Sequence, residues 1–167
     1  MNDTTTTATL TPAQEHNMAQ CRRVLTRVWQ GGDLDICHQV FTKDFVRHDA
    51  NSGDSVGPDG YIELVAKLRE AFPDLTVEIE KLVPADNIVF FRTTMHATHT
   101  GPFYGIPPTG AKITSKTHAE VHFDEEGMSI EAWVISDYLS VTKSIINAMS
   151  LWQKLINLPA LLRLMKN

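Results

Sequence analysis

The chain is poor in cysteine: among 167 residues there are two, Cys21 and Cys37. Their spacing fits neither a metal-ligand pair nor a redox motif, so no disulfide framework is expected, and a reduced, cytoplasmic setting is. Positive charge is short as well. With 15 Lys and Arg against 20 Asp and Glu, the net charge is −5, which argues against a nucleic-acid partner, because phosphate binding needs a basic face. No apolar run reaches the roughly 18 residues of a membrane span, and the opening MNDTTTTATL lacks the basic flank and apolar stretch of a signal peptide. The seven histidines come without HExxH, CxxC or a carboxylate triad. His96 and His99 fall on opposite faces of a strand end, and His118 and His122 stand roughly 13 Å apart at strand rise, so no metal is expected. A nucleophile elbow, a phosphate loop and a dinucleotide fingerprint are also missing, and no cofactor is expected.

What is present has a clear order. A threonine-rich tail over residues 1–10 reads as disordered. Thr11-Pro12 with Gln14 has the form of a capping box with proline at the first helical position. Met18, Cys21, Leu25, Val28 and Trp29 recur at helical spacing until Gly31-Gly32. DLDICHQVF reads as a short helix and DFVRHD as a brief strand. Gly57-Pro58 opens a third helix with Tyr61, Leu64, Val65, Leu68 and Phe72 on its buried side, and Pro73 closes it. The period then changes to two through NIVFFRTTMHATH, AKITSKTHAEVHF and MSIEAWVISDYL. Helices followed by a run of strands predict an α+β domain over 11–139, with N-terminal helices over the concave face of a curved antiparallel sheet. From Ser140 to Asn167 helical spacing returns, with Lys143, Lys154, Arg163 and Lys166 and no acid. This cationic amphipathic extension is expected to pack on its own domain or a sister subunit rather than on a membrane.

Strand parity sorts the last two strands into faces. Around the turn DEEG, Thr117, Ala119, Val121 and Phe123 share a face with Ile130, Ala132, Val134 and Ser136, apolar enough to lie under the helices. His118, Glu120, Glu131, Trp133, Ile135 and Asp137 take the other face, where an exposed or dimer-interface role is expected for His118 and Trp133. The small inner residues mean either close helix approach or a cavity. For a cavity, the long stiff stretch THTGPFYGIPPTG supplies a rim, with Phe103, Tyr104 and Ile106 as apolar lid residues.

With no nucleophile or metal in view, acid–base chemistry by a few titratable groups is what remains. His48 and Asp49 end the first strand, and alternation turns one of them inward and the other outward. Asp137 closes the last strand, as an acid at the cavity mouth or, in the stronger reading, as the N-cap of the following helix. These three are the candidate catalytic residues. Phe103, Tyr104, Ala119, Ala132 and Val134 are the candidate substrate-binding wall.

The stretches GPDGYIELVAKLREAFPDLTVEIEKLV, ATHTGPFYGIPPTGAKIT and GMSIEAWVISD resemble the SnoaL-like polyketide (ester) cyclase family, from about Trp29 to Asp137. The resemblance implies a cone of the nuclear-transport-factor-like class, an apolar cavity between helices and sheet, and a homodimer through the outer sheet face. It implies a cofactor-independent enzyme (cyclase, isomerase or dehydratase) acting on an apolar, carbonyl-bearing, polyketide-like small molecule. The alternative is a non-catalytic protein binding such a molecule in the same cavity. Glu131, Trp133 and Asp137 match the family's Glu-x-Trp-x-x-x-Asp ending, and His48 matches a histidine that many members carry. The anthracycline cyclases place their acid/base aspartate directly after the tryptophan, where this chain has Val134, and their histidine helper falls near Ala119 or Glu120. Epoxide-opening relatives carry an arginine two residues from an aspartate on a strand, and this chain is expected to have no such pair.

Overall fold

The structure, a computed structural model, describes residues 9–164. All but the last two residues of the expected disordered tail lie outside the described residues. Helix α1 (Pro12–Arg23) runs on as a π-helical stretch over Val24–Gln30. A 3-10 turn (Leu34–Ile36) and α2 (Cys37–Val40) lead into strand β1 (Phe41–Asp49). A two-residue strand β2 (Ser55–Val56) precedes α3 (Gly57–Ala71). There follow β3 (Thr76–Ala85), β4 (Ile88–Thr98), β5 (Lys112–Phe123) and β6 (Ser129–Ser136), and then α4 (Tyr138–Ala148), α5 (Leu151–Ile156) and α6 (Leu158–Leu164).

Local chemistry sets these boundaries. The Thr11 hydroxyl accepts from the Gln14 amide at 3.2 Å, and the Gln14 side chain accepts from the Thr11 amide at 3.0 Å, closing the capping box. The π-helical stretch turns Leu25, Val28 and Trp29 into the core. Arg69 of α3 donates to the open carbonyls at its end, Trp29 at 2.7 Å and Gln30 at 2.8 Å.

The six strands form one curved α+β sheet in the order β2-β1-β6-β5-β4-β3. From β3 to β6 it is an antiparallel meander, but β1 lies parallel to β6, so the sheet is mixed rather than antiparallel throughout. The long excursion through α3 and the meander returns the chain beside β1 running in the same direction, a pairing that no short turn can make. A second difference lies in β6. His122 pairs with Glu131 and Phe123 with Ser129, which leaves Ile130 as the extra residue of a bulge. Ile130, expected on the inner face, is exposed, and Ser129 takes the buried place.

The connection from β4 to β5 is docked on α3. The amides of Thr100 and Gly101 both donate to the Ala71 carbonyl at 3.1 Å. A Cβ on Gly101 would stand 2.0 Å from the Glu70 carbonyl oxygen, so only glycine fits there. Tyr104 and Gly105, at φ 48° and 81°, form a tight turn closed by reciprocal bonds between Phe103 and Ile106 at 3.0 and 2.9 Å. Phe103 and Ile106 are buried, while Tyr104 is exposed.

The C-terminal extension divides. Val141, Ile145 and Met149 from α4 and its end are buried, as is Leu161. Leu151, Trp152, Leu155, Ile156, Leu158 and Leu162 are each more than half exposed. Packing on its own domain therefore accounts for α4 and Leu161, and leaves the apolar face of α5 and part of α6 uncovered.

Candidate active site

Side chains alternate along β1, and register with β6 fixes which way each one points. Arg47 lies opposite Ala132 and Asp49 opposite Val134, on the inner face, while His48 lies opposite Trp133 on the outer face. Asp49 is thus the inward member of the pair that the sequence left open. Arg47 Nη2 donates to Asp49 Oδ2 at 2.6 Å, with side-chain exposures of 6% and 0%. The other carboxylate oxygen accepts the Asn51 amide at 2.8 Å and the Ser52 amide at 3.1 Å, and Arg47 Nη1 donates to Ser52 Oγ at 3.3 Å. Every oxygen of Asp49 is therefore engaged, and the carboxylate fixes the guanidinium in place.

Arg47 forms part of the wall of an interior cavity of about 90 Å³ between the helices and the sheet. Its wall is mostly apolar, including Leu25, Phe72, Met95 and Val134, with polar atoms from Arg47, Tyr61, Ser115, Thr117, Ser136 and Tyr138. A lobe of about 40 Å³ beside it shares Leu25, Arg47, Tyr61, Phe91 and Val134 and adds Ala132. Neither lining includes Asp, Glu or His. Trp29 Nε1 donates to the Tyr61 hydroxyl at 2.6 Å. Burial pushes the Tyr61 and Tyr138 phenols up to about 12, so both stay protonated at neutral pH and serve as hydrogen-bond donors rather than bases.

Leu68, Phe103 and Tyr138 also border a larger outer cleft of about 570 Å³, with Ser52, Leu64 and Tyr104 on its walls. The interior hollow alone is far smaller than a pocket for a drug-sized molecule, roughly 300–1,000 Å³, whereas the cleft is of that size. Phe103 and Tyr138 stand between the two.

The other sequence-derived residues fall as follows. The His48 ring lies on the far side of the sheet from the cavity, stacked on Trp133 at 4.1 Å, with Asp54 3.0 Å from Nδ1 and Glu131 3.1 Å from Nε2. Strand alternation puts it there, since Asp49 and Arg47 take the inner positions. Asp137 caps α4: Ser140 N donates to Oδ1 at 3.0 Å and Ser140 Oγ to Oδ2 at 2.6 Å, and these bonds hold its pKa below the usual carboxylate value. It is exposed and is not part of the cavity wall. Phe103 and Val134 line the main cavity, Ala132 the small lobe and Tyr104 the outer cleft. Ala119 is buried on the inner face between Phe91 and Val134, without lining either cavity.

Arg47, Tyr61, Ser115 and Tyr138 were not among the sequence-derived site residues. For Arg47 the signal was present: an arginine and an aspartate two apart on a strand share a face. The absence of such a pair, read from the sequence, is corrected by Arg47 and Asp49 on β1.

A family model described as SnoaL-like polyketide cyclase matches residues 19–145, well over half of the chain. No curated protein matches it. Among solved structures, a chain from Jannaschia sp. CCS1 assigned as a SnoaL-like polyketide cyclase is 24% identical with a TM-score of 0.76, covering 83% of this chain and 96% of that one. AclR from Streptomyces galilaeus, assigned as a hydroxylase, is 24% identical with a TM-score of 0.71 over 80% and 98%. A chain from Acidithiobacillus ferrooxidans assigned as a polyketide cyclase is 25% identical with a TM-score of 0.70 over 85% and 100%. These likenesses establish the fold.

Proposed function

The chain belongs to the SnoaL-like polyketide cyclase family, and we propose that it is a cofactor-independent enzyme acting by proton transfer on an apolar, carbonyl-bearing, polyketide-like small molecule. The observation that carries this reading is a buried guanidinium, Arg47, in the wall of a mostly apolar cavity, with the buried Asp49 carboxylate paired to it from behind the lining. Taking a guanidinium and a carboxylate out of water is costly, and apolar side chains of similar volume would hold the fold as well. A container for an inert apolar molecule has no use for such a pair.

In this reading the body of the substrate lies in the outer cleft and its reacting carbonyl passes Phe103 and Tyr138 into the cavity. Arg47 and the protonated tyrosines face the oxygen where negative charge develops as a neighbouring C–H is lost. The substrate oxygen competes with Asp49 for Arg47. Asp49 does not line the cavity at rest, so this step requires the guanidinium to swing onto the oxygen and uncover Asp49 Oδ2, which then takes the proton from carbon and later returns it; no external redox partner enters. Cyclisation, isomerisation and dehydration all begin with this step.

A second reading, as a binding protein without chemistry, is favoured by Val134 at the place of the cyclase aspartate and by the absence of a carboxylate or imidazole from the cavity lining. The two are separated by incubating purified protein with polyketide-like ketones and following the products. The enzyme reading expects turnover that Arg47→Lys and Asp49→Asn each reduce by at least about a hundredfold. Ligand bound tightly but recovered unchanged, with binding indifferent to both substitutions, decides for the binding protein.

The outer sheet face is the proposed homodimer surface. It exposes Phe90 on β4 and Trp133 and Ile135 on β6, on either side of β5, with Trp133 at 51% and Ile135 at 69%, on the face for which the family resemblance implies pairing with a second copy.

A further inference from the structure

We propose that the uncovered face of α5 and α6 docks on an anionic lipid surface. Leu151, Trp152, Leu155 and Ile156 lie within about 140° of arc on α5, taking 100° per residue. Each is at least 60% exposed, and Leu158 and Leu162 extend the apolar surface along α6. Large aliphatic side chains and a tryptophan at this spacing, on a segment whose α4 and Leu161 are already seated on the domain, form an amphipathic element without a partner among the described residues.

Charge says what covers it. After Asp137 the sequence has four cations, Lys143, Lys154, Arg163 and Lys166, and no acid, while the preceding residues carry the other 11 Lys and Arg against all 20 acids. In a chain of net charge −5, the segment that carries this apolar face thus has cations and no acid. A two-fold contact of this segment with itself would bring its cations together with no acid of the segment to pair them. A contact with the acidic body of a second copy would be heterologous, and such contacts close only for particular rotations. An anionic bilayer takes an apolar face and a cationic flank together, with Trp152 suited to the headgroup boundary. No helix among the described residues is long and apolar enough to cross a membrane, so the element lies on the surface rather than spanning it. The family match ends at Ile145, so α5 and α6 lie beyond it.

Docking would also place the mouth of the site. A Cβ on Gly105 would lie 3.8 Å from the Ala160 Cβ, so α6 borders the rim loop. Tyr138, the first residue of α4, lines both cleft and cavity. Held on a bilayer by this extension, the cleft opens close to where an apolar molecule partitions. That consequence rests on the proposed function; the docking itself does not.

The test is co-sedimentation of the full chain with vesicles of phosphatidylcholine alone and of phosphatidylcholine mixed with phosphatidylglycerol, at low and high salt, with mass measured by light scattering in parallel. The expected result is at least about tenfold stronger binding to the anionic vesicles, weakened by salt. Leu151→Glu with Leu155→Glu, and separately Lys143→Glu with Lys154→Glu, should each abolish it while leaving the thermal unfolding transition in place, since all four side chains lie at or near the surface. Binding without preference for anionic lipid, or binding that survives both double substitutions, overturns the proposal. So does the absence of vesicle binding. If the native mass also falls by half on Leu151→Glu with Leu155→Glu, the face belongs to a second copy instead.

Discussion

Arg47 and Asp49 stand two residues apart on one strand and meet at 2.6 Å, with the carboxylate side chain entirely withdrawn from solvent. The strand's alternation brings them to one face, and the turn after it supplies two backbone amides that complete the carboxylate's hydrogen bonds. This pair ties the stability of the fold to the polarity of the cavity.

Breaking the pair from one side leaves a buried, uncompensated charge. Asp49→Asn is expected to destabilise the protein by about 3–5 kcal/mol, read from urea unfolding. Replacing both partners by apolar residues, Arg47→Met with Asp49→Leu, should cost less than Asp49→Asn alone, because no charge is then left in the interior. A double variant as unstable as the single one would show that the amide contacts of Asp49, rather than its charge, dominate.

His99 makes stability depend on pH. It is fully buried, bonded through Nδ1 to Thr109 Oγ1 at 2.9 Å, and burial lowers its pKa below the ordinary imidazole value of 6.5. As pH falls through 6.5 the unfolded chain takes up a proton that the folded chain resists. The unfolded state then binds more protons, so stability is full above this range and declines from there toward the depressed folded value. His99→Gln should flatten that decline when urea midpoints are compared at about pH 7.5 and about pH 5.5.

The rim loop depends on one close approach. Gly101→Ala would drive a methyl group into the Glu70 carbonyl, with an expected cost of about 1–3 kcal/mol or more. Because the same contact seats Phe103 between cleft and cavity, ligand affinity should fall with it. Circular-dichroism melts and ligand titration on the one variant would show whether both change together.

Ser115→Leu tests the hollow itself. Ser115 is buried in the cavity wall, and a leucine there fills space with apolar atoms. Stability should change by no more than about 1 kcal/mol in either direction while ligand binding is lost. Full affinity in this variant, measured by calorimetry, would place the ligand elsewhere.

On the outer face, Ile135→Glu adds a charge to a residue exposed in the single chain. The fold should tolerate it and the proposed dimer should not, so light scattering is expected to report half the native mass. An unchanged mass would move the interface away from this face.

The sequence alone determined the order and kind of the main elements, though not the short strand β2 or the π-helical turn of the first helix, because those main elements follow from local causes. The Thr11–Gln14 cap, the glycines after Trp29, Pro73 and the change of period from 3.6 to 2 all act within a few residues. It also determined the two faces of β5, since alternation is a property of the strand and survives any packing. What it left open needed a partner strand. Whether His48 or Asp49 faced the cavity was decided when β1 paired in parallel with β6, a contact between residues more than 80 positions apart. The bulge that expelled Ile130 is likewise invisible to parity, which assumes an unbroken ladder. So is the cavity lining: Arg47 from β1, Tyr61 from α3 and Tyr138 from α4 share one wall only because three distant segments close on the same hollow. Tertiary structure decided that, for burial and ion pairing are properties of assembled surfaces, and no single segment carries them.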